Sequence, residues 1–168
     1  MAWLGVWEGL LTVLVGAEGG ESSPGSIYVL RKESDGSWAG GEVEEGSSDI
    51  GSGFGCSIAF LHDLDRDGWA REVAVGAKTG GEGREGLVHV LWLERSDEVD
   101  GSHMRVAQMS VVRPTDVDSN LVDTEGLEFG AAVAFLGDAN VDGWDNEIAV
   151  GAPGGNQAGR VFVVSLGE

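Results

Sequence analysis

Two short stretches of this chain place oxygen-bearing side chains at alternating positions in front of a glycine. Asp63, Asp65 and Asp67 precede Gly68, and Asp138, Asn140 and Asp142 precede Gly143. Oxygens at positions 1, 3 and 5 of a curled loop converge on one point, the glycine at position 6 allows the sharp turn, and a carbonyl at position 7 can add a further ligand. That carbonyl belongs to Trp69 in one loop and to Trp144 in the other. Glu72 and Glu147, at position 10, are placed to close each shell. A donor set made only of oxygens suits calcium and not zinc or copper, so the expectation is two Ca2+ sites per chain. A helix–loop–helix calcium hand does not fit, because it needs a bidentate Glu at position 12 and helical flanks. Here the flanks, SIAFL and VAVGA or AVAFL and IAVGA, are short and β-rich.

The loops belong to a longer repeat. Residues 54–77, FGCSIAFLHDLDRDGWAREVAVGA, recur without a gap as residues 129–152, FGAAVAFLGDANVDGWDNEIAVGA, with 14 of 24 positions identical. Such self-similarity marks repeated supersecondary units that share a core. A weaker third copy, VLVGAEGGESSPGSIYVL (residues 13–30), keeps V-G-A, a Gly-rich turn and an alternating apolar strand, but no aspartate loop precedes it. That unit is expected to have a shortened first strand and no metal. In the middle unit strands are predicted near 56–62, 72–77, 86–94 and 104–112. Asp35-Gly36 and Asp100-Gly101 are read as hairpin turns between third and fourth strands. No segment carries a convincing helical period, so the chain is read as all-β.

Phe54-Gly55 and Phe129-Gly130, the two D-x-D/N-x-D-G loops, and the closing V-G-A-K and V-G-A-P resemble FG-GAP repeats, the blades of the integrin α-subunit β-propeller and its relatives. The resemblance implies four-stranded antiparallel blades, about three per chain, in a single segment over 1–168 with units of about 1–45, 46–112 and 113–168. It also implies structural calcium in the loops between strands one and two, and partner contacts at the opposite end, in loops 44–53, 78–86, 113–127 and 153–160. One departure stands out: the acid usual at position 9 is replaced by Arg71 and Asn146, which shifts that role to Glu72 and Glu147.

Composition narrows the function. The formal charge is −19, from 29 acidic and 10 basic residues, and 42% of the chain is hydrophobic. That much negative charge repels phosphate backbones and anionic lipid, so nucleic acid is excluded as a partner, and no apolar run is long enough for membrane insertion. The single cysteine, Cys56, rules out an internal disulfide and reads as a small buried strand residue, while His62, His89 and His103 lack metal-ligand spacing. The apolar start, residues 1–17, lacks a basic n-region and falls into register with the later V-G-A units, so it reads as blade strand and not as a signal peptide. No nucleophile–base motif is present, so an enzyme is not expected. The resulting expectation is a calcium-binding adhesion or interaction module with a protein or glycan ligand, extracellular by resemblance. A structural spacer, a piece of a larger propeller, or an accessory to a hydrolase or lyase are the alternatives. About three blades do not close a ring, and open sheets invite pairing, which predicts a homodimer that completes the propeller.

Overall fold

The computed structural model describes residues 2–7, 10–20, 24–45, 52–95, 104–121, 123–155 and 158–167. The first sheet contains β1 (Ala2–Trp7), β2 (Leu10–Ala17), β3 (Ser26–Lys32) and β4 (Trp38–Glu45). The second contains β5 (Ser52–Phe60), β6 (Glu72–Thr79), β7 (Leu87–Arg95) and β8 (Met104–Val112). One helical turn, α1 (Pro114–Val117), leads towards the third sheet of β9 (Ala132–Gly137), β10 (Glu147–Ala152) and β11 (Arg160–Ser165). Within each sheet strands follow chain order and every neighbour is antiparallel, the arrangement that short hairpins produce. The blade-like units read from the repeat are therefore present as two four-stranded sheets and one of three strands.

Details depart from the sequence reading in two places. The α1 turn breaks the all-β expectation for four residues, because Pro114 supplies a helical φ at the first position and the Asp116 carboxylate accepts the Arg113 N–H at 2.8 Å. The first strand of the middle unit begins at Ser52, earlier than expected, and bends at a bulge between Phe54 and Ser57. The Asp35-Gly36 turn joins β3 to β4 as predicted, with Gly36 at φ 87° and the Asp35 carboxylate accepting the Ser37 N–H. Asp100-Gly101, His103 and most of loop 44–53 lie outside the described residues.

The sheets stack through two cores. Leu14, Ile27 and Val29 of the first sheet meet Phe54, Ile58, Val73 and Val75 of the second. On the other side, Ala59, Ala74, Val88 and Val90 of the second sheet meet Ile148, Val150 and Val164 of the third, with Phe129 from the turn that precedes it. The central strands β6 and β7 are buried on both faces, which is why their sequences run as near-continuous apolar stretches.

The Phe-Gly pair is the joint between sheets. Phe54 and Phe129 are fully buried. Gly55 and Gly130, at φ 83° and 87°, lie in a region that favours glycine, and they carry their carbonyls against the V-G-A glycine of the preceding sheet. A Cβ on Gly16 would lie 2.1 Å from the Gly55 carbonyl oxygen, and one on Gly76 would lie 1.9 Å from that of Gly130. The Ser57 hydroxyl donates to the Gly130 oxygen at 2.7 Å in the second joint.

Candidate metal centre

The 61–71 loop joins β5 to β6 and hangs at one end of the second sheet. Its shape is made by the aspartates themselves. Asp63 Oδ2 accepts the Gly68 N–H at 3.0 Å, Asp65 Oδ1 the Asp67 N–H at 3.1 Å, and Asp67 Oδ1 the Trp69 N–H at 2.7 Å. One oxygen of each carboxylate is thereby spent on the backbone, and Gly68 turns at φ 90°. Ligand oxygens of Asp63, Asp65 and Asp67 come within 4.8 Å of one another. The remaining oxygen of Asp63 is buried and has no hydrogen-bond donor. A buried anionic oxygen without a partner is costly, and a divalent cation held by this trio is the group that removes the cost. The donors fit a hard cation.

Glu72 closes the loop from below. It is fully buried at the start of β6, and its Oε2 accepts the N–H groups of Leu64 at 3.0 Å and Arg71 at 3.4 Å. Burial pushes its carboxyl up to about 7; the two N–H donors pull it down and the charges of Asp65 and Asp67 raise it. Trp69, expected to offer its carbonyl, has an exposed side chain (52%) above the loop. Arg71 stands where the family pattern has an acid, and its guanidinium pairs with Asp67 Oδ2 at 2.8 Å. This built-in counter-ion partly offsets the loop's repulsion. A basic residue at position 9 of an acidic loop was its sequence signal.

The second loop differs, which revises the expectation of two equivalent sites. Asp138 accepts the N–H groups of Asp142 and Gly143, both at 2.9 Å, and Asp142 accepts that of Trp144 at 2.8 Å, so the backbone curl is retained. The Asn140 amide, however, donates to Asp142 Oδ2 at 2.8 Å and to Glu147 Oε1 at 3.0 Å. Glu147, fully buried, also accepts from Ala139 N–H and the Ser165 hydroxyl. Here an amide N–H occupies the place where the first loop presents a carboxylate oxygen, and the loop's carboxylates are satisfied internally. Among the described residues one three-acid cluster is assembled, not two.

The two loops touch. Arg66, at position 4 of the first, lies over the Trp144 ring at 3.5 Å and donates to the Gly143 carbonyl. Position 4 is not a ligand position, and sequence reasoning assigned it no role. At the opposite end, three of the expected partner loops are linked: Gly126 N–H donates to the Gly83 carbonyl at 3.1 Å, Phe129 N–H to that of Glu85 at 2.8 Å, and Gly154 N–H to that of Leu127 at 3.0 Å. A cavity of about 250 Å³ opens there beside Thr79, Arg84, Glu125 and Glu128. The remaining residues singled out from sequence do not gather at either end. Cys56 is half-buried, with its thiol 3.4 Å from the Gly130 carbonyl; His89 is fully buried in β7, edge-on to Phe54; and His62 packs between Phe60 and Phe135.

Fold and site together define a repeat protein of stacked, blade-like antiparallel sheets with an acidic, oxygen-lined loop at one end. No family model matches the chain. Among curated proteins it is similar to mouse integrin alpha-3, 32% identical over 145 residues, which cover 86% of this chain and 12% of the integrin. Rat integrin alpha-7 is 36% identical over 139 residues, 83% of this chain and 11% of that protein. Human integrin alpha-6 is 31% identical over 118 residues, 68% of this chain and 9% of that protein. The chain belongs to the FG-GAP, integrin α-like lineage. It spans about an eighth or less of the length of these relatives. This kinship accords with a non-enzymatic protein.

Proposed function

We propose that this chain is an extracellular interaction module in which one calcium ion, held by Asp63, Asp65 and Asp67 with Glu72 beneath them, braces the junction of two blades. The buried, partnerless Asp63 oxygen inside a converging acid trio carries the reading. Calcium supplies charge neutralisation to a loop whose carboxylates otherwise repel, so its binding adds to folding stability. The second loop, with Asp138, Asn140, Asp142, the Trp144 carbonyl and Glu147, takes an ion only if the Asn140 amide turns its oxygen inward, and is the weaker candidate. Protein or glycan partners dock at the opposite end, where loops 78–86, 123–128 and 153–155 meet. The side chains of Glu125 and Glu128 favour a basic or polyhydroxylated ligand there.

Terbium, a hard trivalent ion of calcium-like size, tests the site through luminescence sensitised by the nearby Trp69. Emission is expected on titration, with displacement by calcium and strong loss in Asp65→Ala. Thermal unfolding in excess calcium against chelator gives the second readout: at a hundredfold excess over Kd the gain is about 2.7 kcal/mol. Dark terbium together with an unchanged melting curve would remove the calcium reading. Capture of a partner that is insensitive to changes in loops 78–86 and 123–128 would remove the docking reading alone.

A further inference from the structure

The two acid-rich loops share a backbone form and differ in what position 4 carries. In the first, the Asp65 carboxylate accepts the Asp67 N–H at 3.1 Å across Arg66; in the second, the Asn140 side-chain oxygen accepts the Asp142 N–H at 2.9 Å across Val141. Both spanned residues are left-handed, at φ 57° and 62°, and both side chains are exposed. Val141 ends in solvent, at 86% exposure. Arg66 instead crosses the joint between the second and third sheets, where its guanidinium lies 3.5 Å over the Trp144 ring and donates to the Gly143 carbonyl. The charges of the two loops make that crossing matter. Residues 63–72 hold four acids and two arginines, whereas residues 138–147 hold four acids and no base. Arg71 stays on Asp67 of its own loop, so Arg66 is the arginine that the first loop lends to the second.

Close packing does not enforce this bridge. A cavity of about 450 Å³ lies between the loops, lined by Asp63 and Leu64 on one side and by Phe135 and Asp145 on the other. A contact between exposed loop residues beside open space can form or release at little cost to either core. Charge decides which. With no ion in the first loop, its own carboxylates compete with those of the second for the guanidinium. Two positive charges among Asp63, Asp65 and Asp67 cancel most of that attraction and repel Arg66, which leaves the second loop as its favourable neighbour.

We infer that Arg66 is a cation-dependent latch: an ion entering the first loop drives the guanidinium onto Trp144 and Gly143 and so fastens the second loop. The Gly143–Trp144 peptide is gripped at both ends, since its carbonyl accepts from Arg66 and its N–H donates to Asp142 at 2.8 Å. The bridge therefore acts directly on the curl of the second loop. Arginine suits the task, because a flat guanidinium stacks on an indole and donates to a carbonyl at the same time. The inference rests on the ion proposed for the first loop, and it gives a coupling role to a residue that does not ligate it.

The experiment is hydrogen exchange read by mass spectrometry on peptides from each loop, in calcium and in chelator. In the wild type, calcium is expected to slow exchange in residues 62–71 and, by about fivefold or more, the lower end of ordinary coupling between sites, in residues 138–146. Arg66→Gln removes the charge while meeting the same left-handed backbone, and Arg66 is exposed, so the fold is expected to be kept. That variant is expected to bind terbium no more weakly than the wild type and to show slowing in the first loop alone. Asp65→Ala, which breaks the acid trio, is expected to lose the slowing in both loops. Slowing confined to the first loop of the wild type overturns the latch and leaves the calcium reading standing. Second-loop slowing that survives in Arg66→Gln also overturns it, as does slowing that survives in Asp65→Ala, which means that the second loop takes its own ion. No slowing in either loop, together with dark terbium, overturns the latch and the calcium reading alike.

Discussion

Alanine at Gly76 and alanine at Gly151 are the same substitution at equivalent points of the repeat, and the structure assigns them opposite outcomes. At Gly76 the new Cβ would lie 1.9 Å from the Gly130 carbonyl oxygen, which is backbone and is also held by the Ser57 hydroxyl. Carbon contacts settle at roughly 3.5 Å, so the second and third sheets would have to part by roughly 1.5 Å along a packed joint. Overpacking of this kind costs about 1–3 kcal/mol, and a clash with backbone belongs at the upper end. The loss of unfolded-state freedom on replacing glycine returns about 0.4–1 kcal/mol, which leaves a net cost of about 2 kcal/mol. At Gly151 the nearest atom is 3.4 Å away and belongs to the same sheet, so only the favourable contribution remains. For a chain of this size each kcal/mol moves Tm by about 2–4 °C. Gly76→Ala should therefore lower Tm by about 4–8 °C, and Gly151→Ala should leave it unchanged or raise it by about 1–4 °C. Both are to be measured calorimetrically. Equal effects at the two glycines would refute the account of the joint.

Two further outcomes follow from individual residues. Val141 is a β-branched residue held at φ 62°, 86% exposed, with nothing packed on it to justify the strain; Val141→Asn should stabilise the chain by about 1 kcal/mol, read from chemical denaturation, and no gain would mean that the loop does not hold this conformation. Burial raises the Cys56 thiol above its ordinary range, so less thiolate exists at neutral pH and iodoacetamide should react slowly there, the rate still climbing with pH where an ordinary thiol levels off. The linked stability is present below the unfolded thiol's pKa and is lost as pH rises through the folded one, so Cys56→Ser should flatten the alkaline end of the stability profile.

Much of this protein is written locally. The alternation of Val88, Val90 and Trp92, the Asp35-Gly36 turn and the D-x-D-x-D-G spacing each need only a few residues to act, which is why strands, hairpins and the curl of both loops followed from the chain alone. The Phe-Gly and V-G-A motifs marked the repeat, and it was the fold that explained them: they are two halves of one joint, contributed by successive units and brought together only when sheets stack. Side-chain partners were only partly legible beforehand. Arg71 departs from the family pattern and Asn140 falls within it, yet whether a cationic or amide side chain reaches a carboxylate depends on where the loop carries it, and Arg66 meets Trp144 from 78 positions away. Spacing determined which oxygens gather. Tertiary packing decided that one loop leaves an acidic oxygen without a donor while the other is satisfied from within, because the second loop has an amide at its centre and the Ser165 hydroxyl beside it.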